Sequence, residues 1–408
     1  MPLDLTKVIT QLKNLQTQDL QNNNQNTLES TYKLFQIGVE NQDKLIKKLE
    51  ETKALGTAGF YYATPLGHEP LDKLYDCSRD LSQSHIVVAT DGSQINPSAH
   101  EFTSACLINI GLISFAYFDN SISPLLSSEP SIYNSTNDIL PNEYSENIHD
   151  EDLISYERTL KELEELVNLA KRYKAYNKPV IALLDGTLIH WHIEKFNNVF
   201  IEQFLKRFSD AMNELKLLKI PIASFLSNSR SNDLINMLRI YKCPFNEVNC
   251  KKYCSSIASK DLPCNPVHDY KPVLDRRLVD KFFGSKKTET GTRTILFKSN
   301  SKILNYYPDD LKVYFFYINT GTEIARVELP AYVANDQCLL DLLHNTISLQ
   351  CKVGYGYPVT LSEAHLMAVV NKNDRQVFYN LIKEQILSKK QSTIRLSNKE
   401  LKKRISFV

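Results

Sequence analysis

Two short apolar runs constrain this chain more than anything else in it: HIVVATDGS at residues 85–93 and PVIALLDGT at residues 179–187. Each is a string of aliphatic and β-branched side chains, too short for a buried helix and suited to a strand covered on both faces. Each ends in Asp-Gly. Asp91 and Asp185 are therefore expected at the C-terminal ends of strands, the rim where α/β sheets collect ligands. One Asp-Gly pair alone reads as a turn; the same arrangement twice points to a site.

The rest of the chain supplies the helices such strands need. Residues 153–174 carry Leu160, Leu163, Leu166, Val167 and Ala170 at helical spacing. Residues 104–118 read as one or two strands, with Gly111 as a turn or bulge. A helix over roughly 194–218, the strand IPIASFL and a short helix near 230–240 follow. Strand-like runs at 293–298, 311–318 and 324–329 precede helices at about 336–350, 360–371 and 374–388. This alternation predicts an α/β fold with some parallel strands. Residues 1–55 read as a helical N-terminal arm, interrupted by a Gln/Asn-rich stretch at 16–26. Residues 119–152 hold eight Asp or Glu and no Lys or Arg, which predicts an acidic, flexible insertion. Residues 389–408 form a basic tail, either merely solvated or a phosphate contact.

Lys+Arg number 48 and Asp+Glu 47, so bulk charge does not drive this chain onto nucleic acid; any such affinity must be local. The start is polar and of mixed charge, with no signal-peptide pattern. No apolar run reaches the length of a membrane span. A cytoplasmic protein is expected, with its eight cysteines reduced or metal-bound.

Two carboxylates from neighbouring strands suit Mg²⁺ or Mn²⁺, which in turn bind phosphate oxygens. ALLDGTL also resembles the motif of haloacid-dehalogenase-type phosphatases, but their nucleophilic Asp would fall at Leu183, which excludes that chemistry. The helix at 153–174 offers Glu157, Glu162, Glu164 and Glu165; spacing alone does not choose an inward-facing ligand among them. His365 lies a turn into a helix beside apolar neighbours, where a structural histidine is as natural as a ligand. His190 and His192 stand in the same position. Cys243, Cys250, Cys254 and Cys264 cluster in a polar segment with spacing C-x6-C-x3-C-x9-C, which four thiolates around Zn²⁺ or an iron–sulfur cluster would explain.

In their order, these blocks resemble the NurA nuclease family from about residue 85 to residue 387. The resemblance is carried by VVATDGSQI, Arg158 with Glu162, ALLDGTLIHW, FLSNSRSNDLINMLR, LDRRLVDKFF, Gly291 with Arg293, IARVELPAYV and, most specifically, GYGYPVTLSEAHLMAVVNKNDRQVF. It implies a ribonuclease-H-like mixed sheet flanked by helices in a nuclease domain over 56–388, to whose minimal core the Cys-rich insertion at 243–264 and the acidic insertion at 119–152 do not belong. It implies Asp91, Glu162 and Asp185 as metal-binding carboxylates, completed by Tyr357 and His365. It further implies 5′-to-3′ DNA resection, single-strand endonuclease activity, a homodimer and partnership with HerA, a hexameric translocating ATPase.

Two such ions about 4 Å apart can activate water, neutralise the phosphorus centre and stabilise the leaving oxygen. Arg293 and Arg326 are candidate phosphate contacts. Two rivals remain: a non-catalytic DNA-end or translocase-binding module of the same fold, and an RNA-directed nuclease.

Overall fold

The computed structural model describes residues 4–13, 17–67, 69–77, 83–97, 101–139, 148–258, 261–264 and 273–388. The basic tail at 389–408 and residues 140–147 of the acidic stretch lie outside them.

The apolar runs become strands because both of their faces find a cover. Along the first, Ile86 and Val88 enter one core while Val87 and Ala89 enter another, the period-two alternation of a strand between two layers. The strands are β1 (Ala63–Pro65), β2 (Leu74–Tyr75), β3 (His85–Ile95), β4 (Cys106–Tyr117), β5 (Leu125–Tyr133), β6 (Val180–Asp185), β7 (Ile222–Leu226), β8 (Arg293–Thr294), β9 (Phe297–Ser299), β10 (Val313–Asn319) and β11 (Ile324–Pro330). They join in one sheet of order β1-β9-β10-β11-β7-β6-β3-β4-β5, with β2 and β8 paired beside β10. Neighbours β3, β6 and β7 run parallel and the other pairings are antiparallel, so the sheet is mixed.

The helices are α1 (Leu5–Lys13), α2 (Thr17–Glu40), α3 (Gln42–Leu55), α4 (Asp150–Lys174), α5 (Asn198–Leu217), α6 (Asp233–Lys242), α7 (Cys250–Tyr253), α8 (Asp275–Lys286), α9 (Ala331–Ala334), α10 (Gln337–Val353), α11 (Val359–Ala368) and α12 (Lys372–Ser388). Helices α4 and α5 cover one face of the central strands; α10 and α11 cover the other. A third core joins α2, α3, α6 and α8 to Phe297, Phe315 and Tyr317. No described helix is long and apolar enough to cross a membrane.

Three expectations are corrected. The strand from His85 does not stop at Asp91: it runs on to Ile95, paired throughout with β4, so Asp91-Gly92 is not a turn. Part of the acidic stretch is ordered, because Leu125–Tyr133 satisfies the free edge of β4. The N-terminal segment is not a free-standing arm, since Phe35, Leu45 and Leu49 are buried in the third core.

Candidate active site

The parallel register puts Thr90 opposite Leu184, so Asp91 and Asp185 follow at one level on adjacent strands. After Asp185 the chain leaves the sheet through Gly186, at φ +94. Asp91, by contrast, lies inside its strand, and Gly92 serves a different need: a Cβ there would overlap the Glu162 carboxylate and the Arg158 side chain. The bare backbone lets α4 lie against β3, and the Thr90 hydroxyl donates to the Glu162 carbonyl at 2.8 Å. Glu162 thereby reaches the strand carboxylates, with the Arg158 Nε 3.1 Å from its Oε1.

His365 comes from the opposite face. Helix α11 crosses β4 at Gly111, where a Cβ would strike the Ala364 carbonyl oxygen and the Ala368 nitrogen. Its last carbonyl, of Ala368, accepts from the Ser93 hydroxyl at 2.5 Å and from Asn109 Nδ2 at 2.8 Å. At its start, Thr360 donates through N–H and hydroxyl to the Gln350 carboxamide, which donates to Tyr117. Held at both ends, the helix brings His365 Nδ1 to 2.8 Å from Asp91 Oδ2 and leaves the imidazole 66% exposed. Tyr357, edge-on to Phe225 at 5.4 Å, hydrogen-bonds to Asp185.

The carboxylates feel one another. Burial pushes Glu162 up to about 8; Arg158 pulls against the rise, and Asp91 and Asp185 add to it. Asp185 is also raised, by burial and by Asp91, while the hydrogen bonds from Tyr357 and the Gly186 N–H hold it down. The Tyr357 phenol is raised by burial and by Asp185, so it stays a donor. Among the described residues no three His, Cys, Asp or Glu stand as a finished metal cage. The donor set, three carboxylates and an imidazole, nevertheless suits a hard divalent cation, and the carboxylate repulsion that adds to burial in raising Glu162 and Asp185 is what positive charge would relieve.

The other expected residues fall elsewhere. Glu157 and Glu164 are taken up by Arg207, at 2.5 and 2.8 Å, which separates them from Glu162. Arg293 and Arg326 do not contact phosphate as placed: each is 1% exposed. Arg326 lies over the Phe315 ring and pairs with Glu328 at 2.8 Å and Asp233 at 2.7 Å. Arg293 packs on Tyr75, and burial lowers its pKa to about 10. His190 is buried between Phe204 and Phe208, and burial, with His192 nearby, lowers it to about 3. His192 stacks on Tyr156 at 5.2 Å. The four clustered cysteines border one small cavity with Phe60 and Arg239, whose Nη2 lies 3.8 Å from Cys264 Sγ.

Sequence reading missed Glu328, which is 2% exposed and accepts from Thr187 Oγ1 and Leu188 N, fixing the loop that leaves Asp185. An isolated acidic residue in the apolar run IARVELP was the available signal. It also missed Ser93, Asn109 and Gln350, ordinary polar residues whose roles exist only once α11 is docked.

Residues 85–370 match the family described as NurA domain, more than half of the chain. Among solved structures, the crystal structure of the NurA nuclease from Sulfolobus solfataricus is similar at 14% identity, covering 86% of this chain and 96% of that one, with a TM-score of 0.44. No curated protein matches.

Proposed function

Since this chain belongs to the NurA domain family, we propose that it is a divalent-metal-dependent deoxyribonuclease centred on Asp91, Glu162, Asp185, Tyr357 and His365. The observation that carries the proposal is the meeting of three carboxylates from β3, α4 and β6, one of them lifted to about 8, beside an imidazole clasped by the first. Asp91, Glu162, Asp185 and His365 would hold Mn²⁺ or Mg²⁺, and ions bound there supply charge neutralisation at phosphorus and an activated water.

The chain's own groups do the remaining work. Asp91 orients the imidazole through Nδ1, which leaves the other ring nitrogen either to hold an ion or, where the carboxylates alone hold it, to give a proton to the leaving oxygen. Tyr357 donates to Asp185 and fixes its rotamer. Arg158 offsets the charge of Glu162.

Family membership supports the wider reading: a ribonuclease-H-like nuclease domain over 56–388, DNA as substrate, 5′-to-3′ exonuclease and single-strand endonuclease action in end resection, a homodimer, a HerA-type translocase as partner, and a cytoplasmic setting. The second metal reading, Zn²⁺ or an iron–sulfur cluster on Cys243, Cys250, Cys254 and Cys264 in the 243–264 insertion, is favoured by their sharing one cavity. Metal analysis of chelator-free protein tests it.

The decisive experiment is Mn²⁺-dependent cleavage of end-labelled single-stranded DNA and RNA by the wild type and Asp91→Ala. Loss of cleavage by roughly 10²-fold or more, with binding retained, is expected. Undiminished cleavage in the variant overturns the assignment. A wild type that binds without cutting, or that cuts RNA in preference, favours the non-catalytic module or the RNA-directed nuclease.

A further inference from the structure

Away from the carboxylates, the sheet edge where β1 pairs with β9 walls an open pocket of about 460 Å³. Strands β10, β11 and β7 separate β9 from β6, so by the usual interstrand spacing this pocket lies about 20 Å from the level of Asp185. Its lining is one-sided in charge. Lys53, Lys298, Lys302 and Lys312 border it, and no Asp or Glu among the described residues does. Of the four, only Lys312 has a carboxylate partner among the described residues, Asp309. Lys298 is half-buried, and after burial itself it is Lys53 and Lys312 that disfavour its charge, against Asp309 alone.

Cations gathered this way are repelled by one another and satisfied by an anion. A second observation comes from a neutral group. Ser301 also borders the pocket, is 5% exposed, and its hydroxyl is buried with no hydrogen-bond partner among the described residues. It is one of five such Ser or Thr hydroxyls among the described residues, and the one of them that borders this pocket. At the rim stands Tyr306, 63% exposed. An exposed aromatic beside lysines is how single-stranded nucleic acid is held without sequence readout: phosphate on the cations, base on the ring. The volume also falls within the range of about 300–1,000 Å³ usual for small-molecule sites, enough for one nucleotide unit.

The geometry points to a phosphate-binding pocket that seats one nucleotide of a single strand at Lys53, Lys298, Lys302 and Ser301, with Tyr306 against the base. That the phosphate belongs to a strand rests on the nuclease reading; that the pocket takes phosphate does not. A strand seated there is gripped well outside the hydrolytic centre, so its role is retention of the substrate.

The test is metal-free binding, read by fluorescence anisotropy of labelled dT12 in chelator, with Asp91→Asn as the parent so that cleavage cannot consume the probe. Adding Lys53→Glu and Lys302→Glu should weaken binding about tenfold near 0.1 M salt and reduce the slope of log K against log salt by about 1 to 1.5. Lys44→Glu with Lys47→Glu, on the exposed side of α3, should change affinity less than about twofold. If the pocket pair cannot be folded, Ser301→Ala and Lys302→Gln serve instead, each expected to weaken binding by about three-fold or more. Inorganic phosphate and dTMP, as competitors, distinguish the sources: competition by phosphate marks a free-phosphate pocket, competition by dTMP alone a nucleotide pocket. Unchanged affinity in the pocket variants, or an equal loss in the α3 control, overturns the proposal. Failure of the nuclease reading would appear separately, as absent metal-dependent cleavage with this binding intact.

Discussion

Glu162 is pulled two ways, by the guanidinium of Arg158 beside it and by the two aspartates across from it. With its carboxyl raised from 4.5 to about 8, the folded chain keeps a proton that the unfolded chain has already lost. Stability is therefore fullest below the unfolded value and falls as pH climbs from about 4.5 to about 8. The unfolding free energy from urea titrations in chelator should fall across that window by an amount on the order of a few kcal/mol, and Glu162→Gln should flatten the profile. Parallel profiles for the two proteins would contradict the placement of this side chain. On the proposed function, Mn²⁺ must displace the same proton, so calorimetric affinity should rise with pH over the same interval. At this scale the sequence was a partial guide. Asp91, Asp185 and His365 stood out by strand end and motif. Glu162 could not be told from Glu157, Glu164 or Glu165 by spacing; what sets Glu157 and Glu164 apart is Arg207, 43 to 50 residues on in another helix. Arg293 and Arg326 misled for the opposite reason: a guanidinium looks solvent-bound until its buried partners are known.

Elements carry these side chains, and the contact between α11 and β4 carries most. Replacing Gly111 by Val would drive a side chain into the backbone of Ala364 and Ala368. The expected cost is about 1–3 kcal/mol or more in urea unfolding, together with loss of cleavage although all three carboxylates remain. Full activity in this variant would show that α11 need not sit where it does. A second contact, Arg326 between Asp233 and Glu328, orders the loop after β6 through Thr187. Arg326→Met leaves the buried Glu328 and the partly buried Asp233 without their cation and should cost about 3–5 kcal/mol, measurable as a lower thermal midpoint. The elements themselves were mostly legible, since apolar periodicity is local. The extension of β3 past Asp91 was not, because Asp-Gly is a turn signal in isolation and only the pairing with β4 along its whole length overrides it. The edge strand β5 was hidden likewise: its polar, Pro-containing sequence is strand only because β4 offers it partners.

Across the whole molecule, three large cores and a small fourth one are found among the described residues about one mixed sheet, and the N-terminal helices close the third. Phe35, Leu45 and Leu49 are each at most 5% exposed. Burying such side chains contributes about 1.5–3 kcal/mol apiece, a large part of the usual net stability of about 5–15 kcal/mol. A chain lacking residues 1–55 should accordingly be insoluble or melt far lower; an unchanged melting temperature would make the segment a detachable arm after all. The order of strands was the least legible property, because the alternation of strands with helices predicts parallel neighbours and says nothing of how β11, with β10 beyond it, comes to pair with β7.

The clasp between His365 and Asp91 spans 274 residues of chain. A ribosome therefore delivers the first acid long before the imidazole that meets it. A polypeptide released before that helix is made would own every carboxylate and still be chemically mute, so on the reading proposed above hydrolysis is deferred until the late helix has emerged and the body has closed around it.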